Sequence, residues 1–133
     1  MPNVNIRALK NEILKEVKTA INPDKDKDGK VFSEVAKKTG HLLKESNVTV
    51  TQLRKVFTEV KRLSPEDENY KYKLKLLKAK MAYTSGRFPK LKDFQDIVDE
   101  ALPIAEQNEK TLERFKDFFE AVVAYHKFFG GRE

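Results

Sequence analysis

Cysteine is absent from the 133-residue sequence, and histidine occurs only at His41 and His126. Without cysteine there are no disulfide scaffolds and no thiolate metal sites, and a reducing compartment is permitted. A metal centre or a nucleophilic active site needs more ligands, or a base with an orienting partner. The five glycines form no phosphate-cradling Gly-x-x-x-x-Gly-Lys loop. We therefore expect neither a cofactor nor an enzyme.

Long apolar runs are also missing. No stretch approaches the roughly 20 apolar residues that a membrane helix needs. The first twenty residues mix acidic and basic side chains with apolar ones. This pattern differs from the uncharged centre of a signal peptide and from an acid-poor transit peptide. We expect a cytoplasmic protein without a membrane partner.

Charge is plentiful but unevenly spread. Residues 49–90 contain 11 basic and 4 acidic residues, net +7, whereas residues 91–133 contain 6 and 10, net −4. A basic middle third is the expected footprint of a phosphate-backbone partner, although a solvated lysine-rich surface gives the same composition. The acidic third suits contact with a basic partner subunit, or simply keeps the protein soluble.

Apolar residues recur at helical spacing almost throughout, and runs of period two are lacking. The sequence therefore predicts an all-α fold, a compact bundle of five to six helices in one domain, residues 1–133. Residues 1–30 form an N-terminal helix and a polar loop, which either pack on the bundle or exchange between chains.

Helix boundaries follow from capping residues. Asn22 precedes a proline and ends the first helix. Thr49 and Gln52 form a capping-box pattern that begins the third helix, and Asn108 caps the last. Ser64-Pro65 is expected to open a fourth helix over about 65–85.

Glycine and proline predict the interruptions. Gly40 should weaken or break the second helix. Gly86 should end the fourth helix, and Gly130-Gly131 the last, in left-handed conformations. Pro103 should kink or split the fifth helix, expected over about 89–107.

The fourth helix has two apolar faces at 100° per residue. One carries Tyr70, Leu74, Leu77 and Met81, and the nearly opposite face carries Tyr72, Leu76, Ala79 and Tyr83. Such a helix is either central in the bundle or has one face in the core and one against a partner. Two cationic edges lie between the faces, formed by Lys71, Lys75 and Lys78 and by Lys73, Lys80 and Arg87.

The loop after the first helix resembles half of a calcium site. Asp24, Asp26, Asp28 and Gly29 match the first half of an EF-hand loop, but Val35 stands where the bidentate glutamate should be. Calcium binding by Asp24, Asp26 and Asp28 is one reading, and an Asp/Gly-rich turn between helices is the other.

Basic side chains on helices three and four are placed to follow phosphates. Charge and helix position select Lys55, Lys61, Arg62, Lys80 and Lys127 as RNA contacts. Tyr83 and Tyr125 are able to stack on bases, but burial is the commoner fate of tyrosine. His126, near the cationic end of the last helix, is expected either to pack or to contact RNA.

Three segments in order, Thr51–Phe57, Leu76–Arg87 and Phe115–Gly131, resemble the small subunit of type III-A CRISPR effector (Csm) complexes. Residues 1–47 carry little of this resemblance. It implies an all-α, non-catalytic subunit that stacks in several copies beside the backbone and large subunits. Such a subunit helps to hold target RNA along the guide RNA, while base pairing reads the sequence. Carried over by position, the resemblance adds Gln52, Arg54, Lys78 and Arg87 as RNA contacts.

Two alternative functions stay open at the level of sequence. One is a calcium-responsive helical protein that uses the 24–30 loop. The other is a helical adaptor that binds only protein, with its basic edges as plain solvated surface.

Overall fold

The computed structural model describes residues 5–133; residues 1–4, part of the predicted domain, lie outside the described residues. The described chain forms six α-helices and a short 3₁₀ turn, Pro89–Leu91: α1 (Ile6–Ile21), α2 (Lys30–Glu45), α3 (Val50–Lys61), α4 (Tyr70–Arg87), α5 (Lys92–Ala105) and α6 (Glu109–Phe128). No strand occurs in residues 5–133. The prediction of an all-α bundle of five to six helices is confirmed.

The apolar stripes of all six helices meet in one core. α2 packs against α6 and α1, α1 also packs against α5, and α3 lies against α4 and α6. Aromatic rings fill the centre, where Phe119 meets Phe94 and Phe115 edge to face at 5.3 Å between ring centroids. This geometry suits the ring quadrupole and adds to the free energy gained by burial.

α1 is tied to the bundle by Ile13, Val17, Ala20 and Ile21, which are fully buried. Lys10 extends this contact, because its Nζ lies 3.0 Å from Asp93 and 2.7 Å from Asp96 on α5. The single-domain assignment, with exchange of residues 1–30 as its alternative, stays a prediction. No helix among residues 5–133 is long and apolar enough to cross a membrane.

Capping side chains set the predicted helix boundaries. Thr49 Oγ1 accepts the Gln52 N–H at 3.1 Å, and Gln52 Oε1 accepts the Thr49 N–H at 2.9 Å. Asn108 and Thr111 form the same reciprocal pair at the start of α6. α1 ends at Ile21, just before Asn22, as predicted. The two reciprocal pairs at the starts of α3 and α6 satisfy backbone N–H groups that a helix start leaves without partners.

The predicted start of the fourth helix at Pro65 is wrong, because α4 begins at Tyr70. The preceding residues form turns stabilised by their own side chains. Ser64 Oγ accepts the Glu66 N–H, and Asp67 Oδ1 accepts the Asn69 N–H at 2.8 Å. Short polar side chains compete in this way with helical hydrogen bonds.

Two glycines also differ from expectation. Gly40 lies inside an unbroken α2, where a Cβ would come within 2.7 Å of the His126 nitrogen and the Tyr125 Cβ. The absence of a side chain at Gly40 therefore allows α2 and α6 to pack closely. Gly86 lies within α4, which continues to Arg87, and it has no left-handed conformation. α4 ends at Arg87 with Phe88 as its C-cap, because Phe88 precedes Pro89 and a residue before proline avoids the helical region.

Pro103 lies in the last turn of α5 and does not split the helix, which ends at Ala105 rather than near Gln107. A proline there removes one helical hydrogen bond shortly before the helix would end.

Residues 130–133 return to the start of α3. Gly130 ends α6 with φ +93°, as predicted. The carbonyl of Arg132 then accepts the Val50 N–H at 2.7 Å, and the carbonyl of Glu133 accepts the Thr51 Oγ1–H at 2.8 Å. The Val50 N–H lies in the first turn of α3, where helical donors lack partners. The tail therefore caps α3 from a distant part of the sequence.

Candidate nucleic-acid interface

A groove between α3 and α4 collects basic side chains from both helices. Two adjoining cavities of about 210 and 220 Å³ follow it. Lys55 on α3 and Arg62 just after it line one side of the groove, and Lys73 and Lys80 line it from α4. Lys55, Arg62 and Lys80 were predicted RNA contacts, and the structure brings them together. Lys73 adds a fourth cation.

Glu59 lies on the α3 side of this groove. Its carboxylate accepts a hydrogen bond from Lys80 Nζ at 2.9 Å and lies 3.4 Å from Arg62 Nη1. Both cations stay largely exposed, so these pairs contribute little to stability. Lys73 in turn pairs with Asp67. The groove is therefore basic but partly neutralised.

Arg54 and Lys127 form a second group, beside Glu133. Lys127 Nζ lies 3.0 Å from Glu133 Oε1. This hydrogen bond and the charges of Lys127 and Arg54 lower the pKa of the Glu133 carboxyl. Both predicted contacts thus meet at the tail of the chain, outside the α3–α4 groove.

Three further predicted contacts lie apart. Lys61 faces α6, with its Nζ 5.4 Å from the centroid of the Phe57 ring. Lys78 lies on the α5 side of α4, where its charge acts on the pKa of Asp99. Arg87 ends α4, with its guanidinium 5.4 Å from the Phe88 ring centroid. All three side chains belong to exposed residues and are accessible to a ligand.

Gln52 has a structural task that its sequence pattern also predicted. Its Oε1 is held by the Thr49 N–H within the capping box. Only the amide NH₂ group is then left as a donor towards a ligand.

A second basic cleft was missed in the sequence. Lys44, Lys90 and Arg132 line a cavity of about 320 Å³ together with Asn47, Thr49 and the backbone of Gly130. No acidic side chain lines it. These cations come from three separate loops and helix ends, so no local spacing marks them as one group.

His126 is not available to RNA, because it is fully buried. Its Nε2 lies 2.7 Å from the Val48 carbonyl, and Gly131 packs against the ring so closely that a Cβ would reach Cε1 at 2.1 Å. Packing, the other predicted role, is what the structure shows.

The Asp24–Asp28 loop places its aspartates in different roles. Asp26 is buried, and its carboxylate accepts the Val31 and Phe32 N–H groups at 2.9 and 2.8 Å and Arg114 Nη1 at 3.0 Å. Burial opposes ionisation of Asp26, but these hydrogen bonds outweigh it and lower its pKa. Asp24 is exposed, and Asp28 caps the Lys30 N–H at 3.1 Å. The arrangement is an Asp-anchored turn before α2.

The second apolar face of α4 is exposed. Tyr72, Leu76 and Tyr83 keep 67%, 42% and 70% of their surface accessible, while Leu74, Leu77 and Met81 are buried in the core. A central position for the helix is therefore excluded. The expected burial of Tyr83 is wrong, whereas Tyr125 is half-buried against the core.

The family model described as Csm2 Type III-A matches residues 26–132. The match covers most of the chain and includes α2, so the resemblance extends further towards the N-terminus than the three sequence blocks indicated. No curated protein and no solved structure matches. The chain therefore belongs to the Csm2 family, the small subunits of type III-A CRISPR complexes.

Proposed function

We propose that this subunit is a non-catalytic RNA-binding component of its complex that helps to hold target RNA along the guide RNA in antiviral defence. The observation that carries the proposal is the α3–α4 groove, where Lys55, Arg62, Lys73 and Lys80 converge within the matched region. Cytoplasmic location and contact with the backbone and large subunits of the complex belong to the same proposal.

The chemistry of the groove suits phosphates rather than bases. Lysine is a flexible point charge that follows a backbone without fixed geometry, and Arg62 is able to bind a phosphate in a bidentate way. Such contacts position a strand but carry no sequence information. Guide pairing would supply the sequence specificity, as in other RNA-guided effectors.

The second basic cleft extends the proposed path. Lys90 lies three residues beyond Arg87, and Lys44 and Arg132 face the same cavity. No acidic side chain lines this cleft, but Glu45 lies 3.5 Å from Lys44 Nζ and partly offsets that cation. We include Lys44, Lys90 and Arg132 with the predicted contacts.

The groove is tested by fluorescence anisotropy with two labelled single-stranded RNAs of unrelated sequence. Replacing Lys55 and Lys80 with Ala should weaken binding of both RNAs several-fold at low salt. The slope of log K against log salt should become less steep by about 0.7 for each phosphate that is no longer neutralised. The single changes Arg54→Ala and Arg87→Ala should each act in the same direction.

Lys37→Ala is the matched control, because Lys37 is exposed on α2, which packs against α1 and α6. It should leave binding nearly unchanged. Loss confined to one RNA sequence, or equal binding by the double variant and the wild type, would overturn the groove assignment. No RNA binding by the wild type at low salt would instead favour the protein-only adaptor.

A further inference from the structure

Four aromatic rings follow one another across the ends of α2 and α6. Tyr125 meets Phe128 edge to face at 6.4 Å between ring centroids, and Phe128 meets Phe129 in the same way at 5.1 Å. Phe129 in turn stacks on His41 of α2, with the ring centroids 4.4 Å apart and the planes 16° from parallel. We call these four residues the aromatic cluster. It ties the end of α6 to the second half of α2.

Phe128 is the exposed member of the aromatic cluster. It keeps 71% of its surface accessible and lies outside the hydrophobic core, whereas Tyr125 packs against that core. A phenylalanine exposed to this extent gives up the free energy of burial. The rings of Tyr125 and Phe129 nevertheless restrict its orientation, since they meet it at 87° and 75° between ring planes. A ligand that stacks on this ring therefore immobilises little that is not already ordered.

The aromatic cluster adjoins the second basic cleft. His41 and Lys44 are three residues apart on α2 and are therefore neighbours on its surface. Phe129 directly precedes Gly130, whose backbone lines the cleft. Glu45 contacts both groups, because its Oε1 lies 3.4 Å from His41 Nε2 and 3.5 Å from Lys44 Nζ. Aromatic rings and cations thus meet at one end of the bundle.

This combination of rings and cations decides which kind of ligand fits. Lys90 and Arg132 line the cleft and are exposed, so their charges are accessible. A protein segment would cover the apolar ring but would gain from the cations only if it were acidic. A nucleotide matches both features, because its base has an apolar face and its phosphate is an anion. Stacking rings beside a positively charged groove are the usual construction of sites for single-stranded nucleic acid.

The exposed ring also selects the state of the nucleotide. A base inside a duplex is covered on both faces by its neighbours, so it has no face to offer to a side chain. Unpaired bases are unstacked and are the ones that aromatic side chains bind in RNA. Phe128 therefore suits an unpaired nucleotide rather than a base-paired strand.

We propose that Phe128, held by Tyr125 and Phe129, is a stacking site for an unpaired base of single-stranded RNA whose phosphates lie in the second basic cleft. No member of the aromatic cluster lines the α3–α4 groove. The inference deepens the proposed function, on which it rests for RNA binding, and it adds a contact with a base to the contacts with phosphates. Every base has an aromatic face, so the site binds without base preference.

Tryptophan fluorescence provides a direct test, because the chain contains no tryptophan. Phe128→Trp keeps a large ring at this position, and a base that stacks on the indole should quench its fluorescence as a short oligouridine is added. Ser33→Trp is the matched control, since Ser33 is exposed in the first turn of α2, two turns before His41. Its fluorescence should stay nearly constant. Equal quenching in the two variants, or none in either, would overturn the inference.

Anisotropy titrations with labelled oligouridine separate stacking from other contacts. Phe128→Ala and Phe128→Leu should each weaken binding about ten-fold at low salt, because both remove the ring. The slope of log K against log salt should stay that of the wild type, since no charge is lost. Arg132→Ala should make the same slope less steep. Circular dichroism checks that each variant is folded.

Wild-type affinity in Phe128→Ala would overturn the inference and favour a protein partner for this ring. Wild-type affinity in Phe128→Leu alone would also overturn it, because an apolar contact would then suffice. The double replacement of Lys55 and Lys80 tests the α3–α4 groove separately. Loss of binding in that variant, with no effect at Phe128, would leave the proposed function standing without the stacking site. The reverse result would leave the stacking site standing without the groove.

Discussion

At the scale of single residues, Glu59 controls how much positive charge the α3–α4 groove offers. It holds Lys80 at 2.9 Å and Arg62 at 3.4 Å. Replacing Glu59 with Gln removes the negative charge and keeps the shape. We expect RNA binding to strengthen a few-fold, because both cations become available to phosphates. Anisotropy titrations at low salt measure the change.

Glu12→Gln provides the comparison, since Glu12 is an exposed carboxylate on α1, away from the groove. It changes the net charge equally. If both variants gained the same affinity, the effect would be that of overall charge, and Glu59 would have no special place in RNA binding.

Asp26 carries a buried charge that contributes to folding. Only 2% of its side chain is exposed, and its partner Arg114 is 15% exposed. Asp26→Asn leaves the Arg114 guanidinium without a counter-charge, which should lower the free energy of unfolding by about 3 kcal/mol near neutral pH. Urea denaturation measures the loss.

The pH dependence of the stabilisation by Asp26 follows from the direction in which its pKa is shifted. Burial disfavours the Asp26 carboxylate, but the Phe32 and Val31 N–H groups and Arg114 lower its pKa below the ordinary 3.8. The stabilisation is therefore fully present above pH 3.8 and is lost as the pH falls through the lower folded-state value. The difference between wild type and Asp26→Asn should shrink over that range. Asp24→Asn, at an exposed neighbouring position, should leave the free energy of unfolding near neutral pH close to that of the wild type.

At the scale of elements, two glycines in helices predict opposite effects of the same substitution. Gly40→Ala would place a Cβ 2.7 Å from the His126 nitrogen and 2.9 Å from the Tyr125 carbonyl carbon. Backbone atoms do not move aside easily, so α2 and α6 must separate, at a cost of about 1–3 kcal/mol. Gly86→Ala meets nothing within 4 Å and should stabilise α4 by about 0.5–1 kcal/mol.

Chemical denaturation of both variants checks this pair directly. The essential result is that the two substitutions change the free energy of unfolding in opposite directions, since helix propensity alone favours alanine at both positions. Stabilisation by Gly40→Ala would show that α2 and α6 have room to adjust and that the close approach is not required.

Helix existence was predictable from periodicity, whereas several helix ends were not. The stripes of α1, α3 and α6 and the caps at Thr49 and Asn108 act locally, and the sequence displays them. The start of α4 depends on a competition between a proline signal and the turns made by Ser64 and Asp67. A helix that starts at Pro65 and the observed turns would use the same few residues, so composition alone does not decide between the two structures.

At the scale of the whole molecule, some residues of the candidate site were predictable from the sequence and others were not. Lys55, Arg62 and Lys80 were found because charge and helical spacing select them. Burial of His126 depends on Val48 and Gly131, and the Lys44–Lys90–Arg132 cleft depends on the end of α2, the 3₁₀ turn and the tail meeting. Such features arise only from packing between distant segments, which a linear pattern does not encode.

The hydrogen bonds from α3 to residues 132 and 133 also have a consequence for the order in which the structure is completed during synthesis. During synthesis, α3 and α4 emerge from the ribosome well before the residues that cap the start of α3. The cleft that contains Arg132 is therefore complete only once Arg132 has emerged, whereas the α3–α4 groove has no lining residue from this tail. A shorter nascent chain lacks the complete cleft, so RNA bound there is bound only after synthesis has passed Arg132.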